Sequence, residues 1–109
     1  MSLAEVFQER KKKLNCLRED AIAEAERLAS LLRKKYDFDA IYLIGSVLTG
    51  KFRINSDIDM VIKGMKIEDF FKAYAFIIKE AGCRVDLKPF EDLSEEFKKR
   101  ISTEGKQIG

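Results

Sequence analysis

The first 35 residues contain neither Gly nor Pro, and their apolar side chains recur at intervals of three and four. This spacing places the apolar side chains on one face of an α-helix. Ser2 and Glu5 stand in the positions of a capping box, which satisfies free backbone amides at a helix start. The pattern predicts either one long helix of about 50 Å at 1.5 Å per residue, or two shorter core helices with a break near Asn15. A single helix would protrude toward a partner or toward a second copy in a homo-oligomer.

Short apolar runs bounded by glycine follow this segment. Residues 40–44 (AIYLI) form a continuous apolar run that ends at Gly45, which predicts a buried strand. Residues 57–62 (DIDMVI) predict a second strand. Residues 84–90 predict a third strand, and Pro89 near its end favours a position at or near a sheet edge.

Helical patterns separate and follow these strands. Apolar residues at helical spacing predict a helix over 67–81 that ends at Gly82. Its aromatic residues are interpreted mainly as core, namely Phe70, Phe71, Tyr74 and Phe76. A short helix or turn is expected over 46–52, and a final amphipathic helix opens with Asp92 and Glu95.

These elements predict one small α/β domain of the α+β type, with a mixed sheet of about three strands and flanking helices. The helix between the second and third strands makes them a parallel crossover pair. A chain of 109 residues is long enough for one compact domain and too short for two. We therefore expect a single domain over 1–109, with a helical segment over 1–35 and a core over 40–105.

Composition excludes several kinds of chemistry. The chain has no His, which excludes His acid–base catalysis, a Ser-His-Asp triad and His-ligated zinc. Cys16 and Cys83 are far apart and form no CxxC motif, which is typical of a protein of the reducing cytosol. The formal net charge of +2 indicates no strong attraction to nucleic acid, and no apolar run has membrane length. We expect a cytoplasmic protein that uses carboxylates, Lys, Tyr, hydroxyls and a bound metal.

Three carboxylates and a Gly-Ser pair converge in the predicted topology. Asp57 and Asp59 are two residues apart on a strand and project from the same face. If the first strand is antiparallel to the second, Gly45 and Ser46 lie beside the start of the second strand. Asp86, near the start of the parallel third strand, reaches the same end of the sheet.

Three carboxylates so close together repel one another unless positive charge offsets their negative charge. Two unit charges 4 Å apart repel by about 4 kcal/mol at an effective dielectric constant of 20. The basic residues nearest in sequence are Lys51, Arg53 and Arg84. A divalent cation is the better interpretation, because an oxygen-only ligand set suits Mg²⁺ or Mn²⁺.

The Gly-Ser pair adds an anion site to this cluster. Gly lets the backbone approach a ligand, and a Ser hydroxyl with free amides at a helix start binds phosphate. Each short motif alone is usually a solvated turn or loop, but the combination at this spacing favours metal-assisted phosphoryl or nucleotidyl transfer.

These residues resemble the signature of the nucleotidyltransferase superfamily that includes DNA polymerase β, and specifically its minimal nucleotidyltransferase (MNT) branch. That signature is Gly-Ser, ten residues, Asp-x-Asp and a third carboxylate on a later strand. Here it reads GSVLTGKFRINSDIDMVI and then RVDLKPFEDL. The match extends from residue 40 to about residue 105.

The resemblance implies a role for each residue of the signature. Asp57 and Asp59 would hold two Mg²⁺ ions, with Mn²⁺ as an alternative, that bridge the phosphates of ATP or another nucleoside triphosphate. Asp86 would bind one ion and help to activate the acceptor hydroxyl. Gly45 and Ser46 would grip the triphosphate.

One part of the sequence departs from the family pattern. Many minimal members have an Arg soon after the Ser, whereas this chain has Val47-Leu48-Thr49. Lys51 or Arg53 would then supply the basic contact to the triphosphate.

The resemblance also implies a biological role. Minimal members are often paired with a helical HEPN-domain toxin, and some transfer AMP to a Tyr of that toxin, so the expected role is that of an antitoxin. Adenylylation of a small hydroxyl compound is an alternative. A non-catalytic module that neutralises a partner by contact is another. Larger relatives carry an added helical domain, and here its contacts would come from a partner, a second copy or the first helix.

Overall fold

The computed structural model describes residues 18–45 and 57–109. Its helices and strands are, in chain order, α1 (Arg18–Lys35), β1 (Ala40–Ile44), β2 (Ile58–Lys63), α2 (Ile67–Glu80), β3 (Val85–Pro89), a 3₁₀ turn (Phe90–Asp92), α3 (Glu95–Glu104) and β4 (Lys106–Gln107). The predicted helix over 1–35 lies partly outside the described residues, and the predicted helix or turn over 46–52 lies entirely outside them. A single long N-terminal helix therefore stays a prediction.

The four strands form one mixed sheet in the order β3-β2-β1-β4. β2 is parallel to β3, as the sequence predicted. β1 is antiparallel to β2, which meets the condition under which Gly45 lies beside the start of β2. The fourth strand corrects the expectation of about three, since β4 pairs antiparallel with β1. A two-residue strand carries no hydrophobic periodicity, so the sequence pattern had nothing to indicate it. Backbone bonds beyond β4 extend this pairing, because Ile41 exchanges hydrogen bonds with Ile108 and Gly109 at 2.9 and 3.0 Å.

α1 and α2 cover one face of the sheet and form the main core with it. The buried positions of α1 follow the helical period, and they face alternate residues of the strands. Fully or almost fully buried side chains in this layer are Ala21, Ala25, Leu28, Ala29, Leu32, Ile41, Leu43, Ile58, Met60, Ile77, Val85 and Leu87.

Polar contacts tie α1 to the connection between α2 and β3. The Glu24 carboxylate accepts a hydrogen bond from the backbone N–H of Gly82 at 2.6 Å. Arg27 pairs with Glu24 and donates to the Glu80 carbonyl at 2.8 Å. The hydrogen bond to Glu24 raises the pKa of Arg27 above its ordinary value. Cys83, in the same connection, is 4% exposed and belongs to the buried core.

The aromatic residues of α2 are only partly as predicted. Phe70 is buried in the core, and Tyr74 and Phe76 pack against it while half-buried. Phe71 corrects the prediction, because its side chain is 59% exposed. It lies on the solvent side of the helix next to buried Phe70, whose ring it meets edge-on at 5.7 Å between centroids.

α3 lies against the other face of the sheet. It begins at Glu95, not at Asp92, which belongs to the 3₁₀ turn. The Ser94 hydroxyl caps this start by accepting a hydrogen bond from the Phe97 N–H at 3.2 Å. Ile101 is buried, which anchors the helix on the sheet. Among the described residues, no helix has the length and apolar character needed to cross a bilayer.

Candidate active site

Two of the predicted carboxylates lie side by side on the sheet. In the register of the strands, Ile44 of β1 is opposite Asp59 of β2, and Asp59 is opposite Asp86 of β3. Residues in register share a face, so both carboxylates project on the face that α3 partly covers. Asp57 directly precedes β2, two residues before Asp59. The structure thus brings Asp59 and Asp86 together as the alternation of side chains predicts.

Basic and hydroxyl side chains surround this row. The Arg84 Nε atom lies 3.5 Å from the Asp57 carboxylate. The Lys88 ammonium lies 3.7 Å from the Asp59 carboxylate and also forms an ion pair and hydrogen bond with Asp86. Much of the repulsion within the cluster is therefore offset by the protein's own cations.

Tyr74 holds the third carboxylate from the opposite side. Its hydroxyl donates a hydrogen bond to Asp86 Oδ1 at 3.0 Å, while Lys88 contacts Asp86 Oδ2. Both Asp86 oxygens thus have a donor, and the orientation of this carboxylate is defined by α2 on one side and by β3 on the other.

Sequence reasoning missed both donors. Lys88 is two residues after Asp86 on the same strand, so the period-two rule that grouped Asp57 with Asp59 also places it on the site's face. Tyr74 was assigned to the core by helical spacing. The sequence indicates the role of Tyr74 only weakly. A buried Tyr hydroxyl, which Phe lacks, usually has a hydrogen-bond partner, but the sequence does not show which residue that partner is.

Gly45 allows the backbone to approach the carboxylate row closely. Its φ is +83°, in the left-handed region that favours glycine. A Cβ atom there would lie 2.8 Å from Asp59 Oδ2. Any other residue would push the Asp59 carboxylate aside, so the sequence has a chemical as well as a conformational reason for Gly at this position.

A cavity of about 330 Å³ opens beside Asp59. The sheet side is lined by Ile44, Gly45, Asp59 and Lys88, and the opposite side is lined by α3 and its end with Phe97, Arg100, Ile101, Glu104 and Gly105. Its volume falls in the range of small-molecule sites. The sequence predicted α3 as a helix but did not indicate that it lines the site.

The α3 wall combines aromatic and charged groups. The Arg100 guanidinium lies 5.9 Å from the centre of the Phe97 ring. It also pairs with the Glu104 carboxylate one turn later at 3.7 Å, and both charged side chains are about two-thirds exposed. These two side chains therefore remain accessible to a ligand.

Three other predicted site residues, Ser46, Lys51 and Arg53, lie outside the described residues, as does the Val47-Leu48-Thr49 segment. Their roles at the triphosphate stay predictions.

The described carboxylates suit a divalent metal by their chemistry. Within residues 18–45 and 57–109 no group of three or more metal-binding side chains is arranged to hold an ion. However, Asp59 and Asp86 already share one cation, the Lys88 ammonium. Paired carboxylates that converge on a cation are the donor set of Mg²⁺ and Mn²⁺, so the residues fit such a metal once that ammonium is replaced.

The family model for the polymerase beta nucleotidyltransferases matches residues 26–109. The chain belongs to the polymerase beta nucleotidyltransferase family. This membership confirms the resemblance stated from the Gly-Ser and Asp-x-Asp spacing.

Several solved structures share the fold. A crystal structure of a toxin–antitoxin complex with AMP-PNP is 26% identical, with a TM-score of 0.65 over 77% of this chain and 72% of that one. A proposed minimal nucleotidyltransferase is 22% identical, with a TM-score of 0.68 over 84% of this chain and 95% of that one. A variant of the toxin–antitoxin MntA–HpeT is 24% identical, with a TM-score of 0.61 over 76% and 69%. No curated protein matches this chain significantly.

Proposed function

We propose that this chain is a metal-dependent nucleotidyltransferase that transfers AMP from ATP to a hydroxyl acceptor. The observation that carries the proposal is the in-register pair of Asp59 and Asp86, of which Asp59 lies against the Gly45 backbone and lines a cavity of about 330 Å³. Family membership supports nucleotidyl transfer as the reaction class.

Asp57, Asp59 and Asp86 would hold the metal. A divalent cation held there would supply positive charge that stabilises the triphosphate and the leaving pyrophosphate. In the transfer step the acceptor oxygen bonds to the α-phosphorus, the bond from that phosphorus to the bridging oxygen breaks, and pyrophosphate leaves. Asp86 takes the hydroxyl proton, and Tyr74 keeps its carboxylate oriented toward the acceptor.

The cavity is the proposed site of the nucleoside. An aromatic ring with a nearby guanidinium suits the face of a base, and a carboxylate suits ribose hydroxyls or an exocyclic amine. Phe97, Arg100 and Glu104 supply these three groups from α3. Gly45, with Ser46, Lys51 and Arg53 as predicted, would contact the triphosphate.

We propose a HEPN-domain toxin as the partner and acceptor, so that AMP transfer makes this chain an antitoxin. The similarity to a toxin–antitoxin complex that contains AMP-PNP supports both a protein partner and ATP as the donor. Transfer to a small molecule and neutralisation by contact alone are the competing functions.

Label transfer tests the proposal. The protein is incubated with Mg²⁺, a lysate of its source cells and ATP labelled at the α- or the γ-phosphate. We expect a labelled protein band from the α-label only, lost in Asp57→Ala/Asp59→Ala and retained in the control Glu68→Ala, whose side chain is exposed on α2. A labelled compound of low mass would indicate a small-molecule acceptor. Absence of label in both fractions, even with Mn²⁺ and other nucleotides, would contradict the proposed activity.

A further inference from the structure

Lys88 occupies the position in which a cation would bridge two of the carboxylates. Its ammonium lies 3.7 Å from Asp59 Oδ1 and is bonded to Asp86 Oδ2. Only 36% of the Lys88 side chain is exposed, so this is not a fully solvated surface pair. One protein cation thus serves two residues that the proposed function assigns to metal.

The backbone explains how Lys88 reaches this position. In the register of β2 and β3, Lys88 is opposite Val61, one same-face step along from the pair of Asp59 and Asp86. The four-carbon stem of Lys is long and flexible enough for the ammonium to reach back along the strand. The Lys88 side chain can therefore form and break its contacts with the two carboxylates without movement of the main chain.

We propose that Lys88 is an internal counter-ion that holds the carboxylate pair in the metal-free protein and is displaced when a divalent cation binds. This inference rests on the proposed function for the identity of the metal-binding residues. It makes Lys88 a positioning residue that lowers the affinity for metal while it keeps the empty site together.

Like charges explain the competition. An ammonium and a doubly charged ion cannot occupy the space between the same two carboxylates, because their repulsion is appreciable at a few ångströms even in water. Metal binding must therefore break the contacts of Lys88. The cavity offers the displaced ammonium another location, since Lys88 also lines it. Removing the positive charge at this position should tighten metal binding and make the empty site less stable.

The test is a titration of the full chain with Mn²⁺ alone, followed by electron paramagnetic resonance. We expect Lys88→Met to bind Mn²⁺ about tenfold more tightly than wild type, which corresponds to about 1.4 kcal/mol. Lys88→Arg should restore wild-type affinity, because it returns the charge. Lys72→Met removes the same charge from an exposed position on α2 and should leave affinity unchanged.

Thermal unfolding gives a second readout. In EDTA, Lys88→Met should have a lower Tm than wild type because Asp59 and Asp86 lose the Lys88 ammonium. Addition of Mn²⁺ should recover most of the lost Tm. Adding Asp57→Ala/Asp59→Ala to Lys88→Met should abolish both the binding and the recovery, which assigns them to this site.

Unchanged or weaker Mn²⁺ binding in Lys88→Met would overturn the inference, as would a Lys88→Arg variant that behaves like Lys88→Met. If α-label transfer occurs while these affinities are equal, only the counter-ion role is wrong. If no variant binds Mn²⁺ and no label is transferred, the proposed function is wrong as well.

Discussion

Replacing Gly45 by Ala should separate the chemistry of the site from the stability of the fold. The substitution forces a residue with a Cβ to adopt φ of +83° and places that atom 2.8 Å from Asp59 Oδ2. A left-handed conformation costs a non-glycine residue about 1–2 kcal/mol. For a domain of about 100 residues, each kcal/mol lowers Tm by roughly 4–8 °C. We therefore expect Gly45→Ala to fold with a Tm lowered by about 5–15 °C.

The effect on activity should be much larger than this stability loss implies. The new methyl group must displace the Asp59 carboxylate by several tenths of an ångström or more, and a displacement approaching 1 Å in a catalytic site can cost about 100-fold in rate. α-Label transfer measured well below the Tm of the variant should fall by roughly that factor.

Gly64 provides a matched control. Its φ is +82°, so the backbone strain is the same, and a Cβ there would meet the Asp39 carboxylate at 2.5 Å and Asp39 Cβ at 2.9 Å, which is a more severe clash than at Gly45. Gly64 follows β2, at the opposite end of that strand from the carboxylate row. Gly64→Ala should lose at least as much stability as Gly45→Ala and keep its transfer rate. Equal losses of rate in the two variants, or full activity in Gly45→Ala, would refute the argument.

Three further substitutions examine other contacts. Phe97→Ala should weaken binding of a non-hydrolysable ATP analogue by about fivefold or more, since base–aromatic stacking contributes about 1–3 kcal/mol. Phe71→Ala, on the exposed side of α2, should leave this affinity unchanged. Isothermal titration calorimetry measures both affinities, and equal values would show that α3 does not bind the nucleoside. Tyr74→Phe should remain folded and lower the transfer rate severalfold, because the third carboxylate loses an orienting donor; an unchanged rate constant would make the hydroxyl merely structural. Glu24→Gln should lower the free energy of unfolding, measured in urea, by about 1–2 kcal/mol. Glu26→Gln, exposed on the same helix, should have no comparable effect. Equal free energies of unfolding for the two variants would show that the Glu24 contacts between α1 and the α2–β3 connection do not stabilise the fold.

The part of the site that the sequence predicted depends on local rules. Alternation along a strand placed Asp57 and Asp59 together, and Gly45 marked the end of β1. The helix between β2 and β3 required those strands to be parallel, which brought Asp86 to the row. Each step used residues close in sequence or a connection of known geometry.

The part that it did not predict depends on tertiary contacts. The role of Phe97 arises only because α3 folds back over the sheet, and β4 exists only because β1 offers an edge. Lys88 was within reach of the strand rule, but lysines are common on exposed strand edges, so its alternation alone did not distinguish it. Phe71 was misassigned because hydrophobicity alone does not show which of two adjacent aromatic residues faces inward.

The order of the strands also determines from where the acceptor can arrive. β3 is the outermost strand on its side of the sheet, and Asp86 lies near its start. Within the described residues, no further strand flanks β3, so the proposed proton acceptor stands at the rim of the sheet. A hydroxyl on the surface of a folded protein can approach such a rim without being drawn into a deep cleft. Selection among acceptors would then depend on how two protein surfaces dock.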